Sequence, residues 1–132
     1  MDMRIELIAV PVTDVDRARD FYASLGWNVD HDNEVDEYTR FVQVTPPGSA
    51  CSIAFGRGIA DTEPGSLRGV QLVIKDADAA LALLREKGVD VDPAVDEQPW
   101  GRFVTFRDPD GNEYTLQQLP EWSASYANAP TR

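Results

Sequence analysis

Histidine and cysteine are almost missing from this 132-residue chain, in which His31 and Cys51 are the sole examples. One imidazole excludes a multi-histidine metal site, or a histidine-based triad network, built within a single chain. One thiol excludes an internal disulfide, in keeping with a reducing compartment. Cys51 beside Ser52 on an apolar stretch reads as a small packed hydrophobe, since a nucleophile there would lack an obvious base. Positive charge is scarce as well. The 12 Lys and Arg stand against 23 Asp and Glu, for a formal net charge of −11. A field of that sign repels phosphate backbones and attracts cations. Nucleic acid is therefore not expected as a partner, and a cationic small molecule is electrostatically welcome, although solubility alone also accounts for the acidity. No apolar run approaches the ~20 residues of a membrane-spanning helix. The start, Met1-Asp2-Met3-Arg4-Ile5-Glu6, places carboxylates where a signal peptide is basic. The expected location is cytoplasmic, with no membrane contact.

The chain does contain an internal copy of itself. Asp14, Asp16, Ala18 and Gly26 recur 62 residues later as Asp76, Asp78, Ala80 and Gly88, and Arg40-Phe41-Val42 recurs as Arg102-Phe103-Val104. After Pro47 and Pro109 the second copy is read with one extra residue, so that Gly48 matches Gly111, Ser52 matches Thr115 and Ile53 matches Leu116. A register kept across a helix, a turn and two strands marks a duplicated module, with any shared site between the similar halves.

Within the first copy, Ile5 to Val12 is an apolar, β-branched run, and Pro11 suits an edge position or strand end. Thr13 and Asp14 are N-cap types. Val15, Ala18, Phe21, Tyr22 and Leu25 then form a helical stripe that Gly26 ends. Trp27 to Val29 opens a strand, and the acidic stretch from His31 to Glu37 is expected to turn, leaving His31 a solvated loop residue. Tyr38 to Thr45, the turn Pro46-Pro47-Gly48 and the strand Ala50 to Phe55 complete a βαβββ module. The second copy repeats this order. It has a strand from Val70 to Ile74, a helix capped by Asp76 or Asp78 with the stripe Ala79, Ala80, Leu83 and Leu84, and a stop at Gly88. Strands follow from Val89 to Val91, from Arg102 to Arg107 and from Glu113 to Gln118, the last after the turn Asp108-Pro109-Asp110-Gly111. Residues 1–58 are thus one module, 59–68 a linker, 69–119 the second module, and 120–132 a tail. Trp122 and Tyr126 are expected to pack that tail on a surface or a partner.

Two tandem βαβββ modules, an Asp-capped helix ending in Gly in each, and the late Asp108-Pro109-Asp110-Gly111-Asn112 turn resemble the vicinal oxygen chelate superfamily. This is the group of glyoxalase I, bleomycin-resistance proteins and extradiol dioxygenases, and the resemblance covers residues 4–119. It implies an α+β fold in which each module curls into half of a cup. Together the modules would form a partly open eight-stranded barrel around a ligand, and many members are homodimers. It also implies four strand positions for the His and Glu ligands of a divalent metal. In this chain they fall on Leu7, Ser52, Gly69 and Thr115. None supplies an imidazole or carboxylate, whereas Zn or Fe needs several such donors at about 2.0–2.3 Å. Glu6 and Glu113, nearby on the same strands, are read as turned to the opposite face by strand alternation. No metal cofactor is therefore expected.

Hydroxyls at Ser52 and Thr115 would instead floor the site with neutral hydrogen-bonding groups. Alternation adds Ala50, Ala54 and Gln117 to that face, and Gln71 and Val73 follow from Gly69. Trp100, between Pro99 and Gly101, stands out as an aromatic wall, ahead of Trp27, Tyr38 and Phe55, which core packing accounts for equally well. Arg40 and Arg102 recur at matched positions and could address a ligand carboxylate, or pair with neighbours such as Glu37 and Glu97. The expected ligand-binding set is Leu7, Ser52, Gly69, Gln71, Thr115, Gln117, Trp100, Arg40 and Arg102. The expected function is metal-independent binding of a small organic ligand between the modules, with cationic, drug-like molecules among the candidates. The alternative is an enzyme of the same superfamily, a glyoxalase-like lyase, isomerase or dioxygenase, with a displaced or absent metal.

Overall fold

The computed structural model describes residues 1–123, so the expected packing of Tyr126 lies outside the described residues. Among the described residues the architecture is α+β, with two helices and two mixed sheets. The chain divides into two compact units. The first is Met1–Leu67 with Pro109–Asn112, and the second is Arg68–Asp108 with the chain from Glu113 onward.

The first unit holds β1 (Leu7–Ala9), α1 (Val15–Ser24), β2 (Asn28–Glu34), β3 (Arg40–Thr45) and β4 (Ser52–Arg57), in sheet order β1-β4-β3-β2. β1 runs parallel to β4, and the other neighbours are antiparallel. α1 begins where it does because extended Asp14 accepts a hydrogen bond from the Arg17 amide at 3.0 Å, relieving one of the free donors of the first turn. Its inner side presses Ala18 and Tyr22 onto Val42, Val44, Ile53 and Phe55, all buried. The Tyr22 ring lies 5.0 Å from Trp27 and 5.7 Å from Phe55. Each large side chain so buried contributes about 1.5–3 kcal/mol.

The segment 109–112 folds with this unit as a clasp. Thr13 Oγ1 donates to Asp110 Oδ1 at 2.6 Å. Wholly buried Asn112 donates to the Pro11 carbonyl at 2.8 Å and accepts from the Leu67 amide at 3.1 Å. A buried amide satisfied on both sides by backbone fixes two chain segments at once.

The second unit holds β5 (Val70–Ile74), α2 (Ala77–Glu86), β6 (Asp90–Val91), β7 (Asp96–Gln98), β8 (Gly101–Arg107) and β9 (Glu113–Gln118). The order is β5-β9-β8-β6, with β7 also paired to β8. Asp76 caps α2 by accepting from the Ala79 amide at 3.1 Å. The core consists of Ala77, Leu81 and Leu84 against Val104, Phe106, Tyr114 and Leu116, with Phe106 and Tyr114 stacked at 5.3 Å.

Five expectations are corrected. The first strand is shorter than the Ile5-to-Val12 run, covering Leu7–Ala9. The acidic stretch is not a turn from His31, because β2 continues to Glu34 and His31 pairs with Gln43 across a bulge after Val29. β2 is an edge strand, where charged side chains are tolerated and discourage sheet-to-sheet pairing. The buried stripe of α2 is Ala77, Leu81 and Leu84, while Leu83 stays 48% exposed. Of the expected stripe, Leu84 is buried and Ala80 half-buried, while Ala79 and Leu83 face outward. β7 was not anticipated and gives the second module an extra strand, nine in all among the described residues.

The fifth correction is one of register. Gln43 pairs with Ala54, and its copy Thr105 pairs with Thr115. The counterpart of Thr115 is therefore Ala54, and that of Ser52 is Glu113. Residues 46–51 separate β3 from β4, whereas only 108–112 separate β8 from β9, so the second copy is one residue shorter here, not longer. The Gly48–Gly111 match misled because Gly48 serves a hairpin turn and Gly111 belongs to the clasp.

Candidate functional site

Strand alternation sorts the second unit's sheet cleanly. Val104, Phe106, Tyr114 and Leu116 face α2, so Phe103, Thr105 and Arg107 share the other face with Glu113, Thr115 and Gln117. On that face lies a hollow of about 320 Å³. Its floor is Gln71, Thr105 and Thr115; Gln71 sits beside Thr115 in the parallel β5–β9 ladder, and the two threonine hydroxyls are 3.3 Å apart. Its aromatic surfaces are Trp100 and Phe103, and its charged groups are Asp92 and Asp96. Asp96 stands directly opposite Phe103 in the β7–β8 ladder.

Trp100 is mounted with care. Gln98 pairs with Gly101, so Pro99 and Trp100 form a two-residue tip. Gln117 Nε2 donates to the Trp100 carbonyl at 3.2 Å. Gly101 has φ +155°, and a Cβ there would come within 3.0 Å of Gln117 Nε2 and 3.1 Å of the Gln118 carbonyl. Only glycine fits that approach without displacing a neighbour. Gln117, expected to contact ligand, thus holds the hairpin that presents Trp100.

The first unit uses its corresponding face differently. Leu7 and Ser52 are side by side in the β1–β4 ladder, whereas in the β5–β9 ladder the neighbour of Thr115 is Gln71 and not Gly69. Ser52 is buried, its Oγ 2.5 Å from Thr45 Oγ1, and Thr45 Oγ1 in turn donates to Asp30. Thr45 has one hydroxyl proton and the carboxylate takes it, so the Ser52 proton goes to Thr45, while Gln43 Nε2 donates to Ser52 at 3.4 Å. These contacts, with the Thr45 hydroxyl first and the Asn28 amide next, hold Asp30 below the usual carboxylate range. At the matching positions of the second unit stand Asp92, Arg107 and Glu113, with Arg107 3.0 Å from Asp92 and 3.4 Å from Glu113.

This arrangement bears on a metal. Glu113 shares the face of Thr115, contrary to the alternation argument made from sequence, because the two lie two residues apart on β9. Its charge is answered by Arg107 and, at 3.9 Å, by Arg68. Gly69 precedes β5 and offers no side-chain donor, Leu7 is apolar, and Ser52 and Thr115 are neutral hydroxyls. Such a set does not fit a divalent ion that needs several nitrogen, sulfur or carboxylate ligands. Among the described residues no group of three or more His, Cys, Asp or Glu side chains is arranged to hold one.

Arg40 and Arg102 do not meet at the hollow. Arg40 binds Asp16 at 2.8 Å and Asp32 at 3.0 Å, and Arg102 binds Glu97 at 2.8 Å and Asp78 at 3.0 Å. Asp16 and Asp78 are copies of each other, so each arginine ties the first turn of its helix to its sheet. Hydrogen bonds from Arg40 and then Arg19 draw the Asp32 carboxyl down to about 2. Burial raises the Cys51 thiol above its ordinary value. Sequence reasoning missed Asp92, Asp96, Phe103 and Thr105. Alternation across β8 from Thr115 would have found Phe103 and Thr105, whereas Asp96-Glu97-Gln98 carries no strand-like composition.

A family model, the Glyoxalase/Bleomycin resistance protein/Dioxygenase superfamily, matches residues 4–116. Among solved structures, TnmS3, an antibiotic binding protein from Streptomyces sp. CB03234, is 38% identical with a TM-score of 0.81, over 90% of this chain and 98% of that one. A glyoxalase/bleomycin resistance protein from the same organism is 40% identical with a TM-score of 0.76, over 87% and 100%. A member of the superfamily from Sphaerobacter thermophilus DSM 20745 is 34% identical with a TM-score of 0.79, over 89% and 98%.

Proposed function

The chain belongs to the glyoxalase/bleomycin resistance protein/dioxygenase superfamily, and from that membership we propose that it binds a small organic molecule without a metal ion and without chemistry. The observation that carries this reading is the donor set. The resemblance assigns the metal-ligand positions to Leu7, Ser52, Gly69 and Thr115, none of which offers an imidazole or carboxylate, and in the observed register the counterpart of Ser52 is Glu113, which with Asp92 is already bound to Arg107. The description of TnmS3 as an antibiotic binding protein, at 38% identity, supports an antibiotic-like ligand.

The second unit's hollow has what such a role requires. Its volume of about 320 Å³ is at the lower end of the ~300–1,000 Å³ of small-molecule sites. Its floor presents hydroxyls and an amide, which orient a ligand without demanding a charge. A thermal-shift screen of antibiotics in the presence of EDTA tests the reading. A ligand at 100 times its Kd raises stability by about 2.7 kcal/mol. At least one compound should raise Tm, be recovered unchanged in mass, and lose its effect in Thr115→Trp, whose indole fills the floor while the unliganded Tm stays close to wild type. Conversion of the compound, or an undiminished shift in Thr115→Trp, would contradict the proposal.

A further inference from the structure

The hollow's lining says more about its ligand than that it is small. Among the described residues it includes two carboxylates and no Lys, Arg or His. The carboxylates are not equivalent. Asp92 is bound to Arg107 at 3.0 Å, whereas Asp96 accepts only the Gln98 amide at 2.9 Å and has no cationic partner among the described residues. Next to this unanswered charge are two aromatic faces. Phe103 is directly across the ladder from Asp96, and Trp100, 56% exposed, is held at the hairpin tip by Gly101 and Gln117.

Resting on the binding role above, we propose that Trp100, Phe103 and Asp96 form a subsite for a planar organic cation. The ring faces attract positive charge through their quadrupoles, and Asp96 supplies the counter-charge at the edge. Arg107 cancels Asp92, so the subsite selects a single positive charge. The net charge of −11 steers such a ligand toward the protein.

The test is a fluorescence-polarisation titration of the full chain with three tricyclic probes of similar size: proflavine, which is cationic, acridone, which is neutral, and anthracene-2-sulfonate, which is anionic. Proflavine should bind about tenfold more tightly than acridone, with the sulfonate weakest. Asp96→Asn should lower proflavine affinity about three- to tenfold and leave acridone unchanged. Asp61→Asn, which removes the same charge from an exposed position outside the hollow, should leave both unchanged. Trp100→Leu should weaken both planar probes. Equal affinity for proflavine and acridone, or equal effects of Asp96→Asn and Asp61→Asn, would overturn the inference, since acidity would then act only as a general field. Failure of every probe alongside a hit in the antibiotic screen would overturn the inference and leave the binding role standing. Failure in both would remove that role as well.

Discussion

At the scale of single residues, the same position does different work in the two units. Thr45 passes the Ser52 hydroxyl proton's bond on to Asp30, while its copy Arg107 sits between Asp92 and Glu113. The exchange of a hydroxyl for a guanidinium, more than any change in backbone, separates the chemistry of the two faces. Asp32 illustrates how little of the ion pairing concerns ligand. Its carboxyl titrates near 2 in the folded chain because Arg40 and Arg19 bond it, against about 3.9 unfolded. A depressed folded value means the stabilisation is complete above about pH 4 and is lost as pH falls toward 2. Urea titrations between those values should show stability falling, and Asp32→Asn should lose part of that dependence, with a cost at neutral pH of about 0.2–1 kcal/mol for so exposed a pair. An unaltered pH profile would show that the pair contributes nothing. Gly101 makes a sharper prediction. Alanine there combines an unfavourable φ with contacts of 3.0 and 3.1 Å, so Gly101→Ala should cost about 1–3 kcal/mol in denaturant unfolding and weaken ligand binding by moving Trp100. Unchanged stability would mean the hairpin yields freely.

At the scale of elements, much was legible in sequence because local chemistry decides it. Asp14 and Asp76 start their helices, Gly26 and Gly88 follow the ends, and the apolar runs of β3, β5, β8 and β9 lie where alternation puts them. What escaped was settled by partners far along the chain. The acidic residues of β2 and of β7 lack strand propensity, and they are strands because β3 and β8 offer free edges to pair with. The closing-strand register was misread for a related reason. Asp110, Gly111 and Asn112 look like a plain hairpin turn in sequence, but Asn112 is buried and bonded to Pro11 and Leu67. That clasp role predicts that Asn112→Ala lowers stability by about 2–3 kcal/mol, as expected when two backbone groups lose a buried partner. A Tm near that of wild type would instead mean that water or a shifted loop replaces the amide.

At the scale of the whole molecule, two duplicated modules carry the superfamily's framework with Leu7, Ser52, Gly69 and Thr115 at the positions that the resemblance assigns to metal ligands. Of the expected ligand-binding set, Gln71, Trp100 and Thr115 meet at one hollow, Gln117 supports it from behind the Trp100 hairpin, and Arg40 and Arg102 brace the helices instead. The sequence pointed to Thr115 through the resemblance, to Gln71 through strand alternation and to Trp100 through its loop between Pro99 and Gly101. It could not reveal Asp96, which among the described residues accepts only from Gln98 while Arg107 answers Asp92. If the protein binds its ligand without a metal, as proposed, elemental mass spectrometry of the untagged protein, after incubation with Ni, Zn, Fe and Mn and removal of free ions, should find far less than one metal per chain. Retention of about one metal per chain would contradict the proposal and turn attention to lyase and dioxygenase substrates.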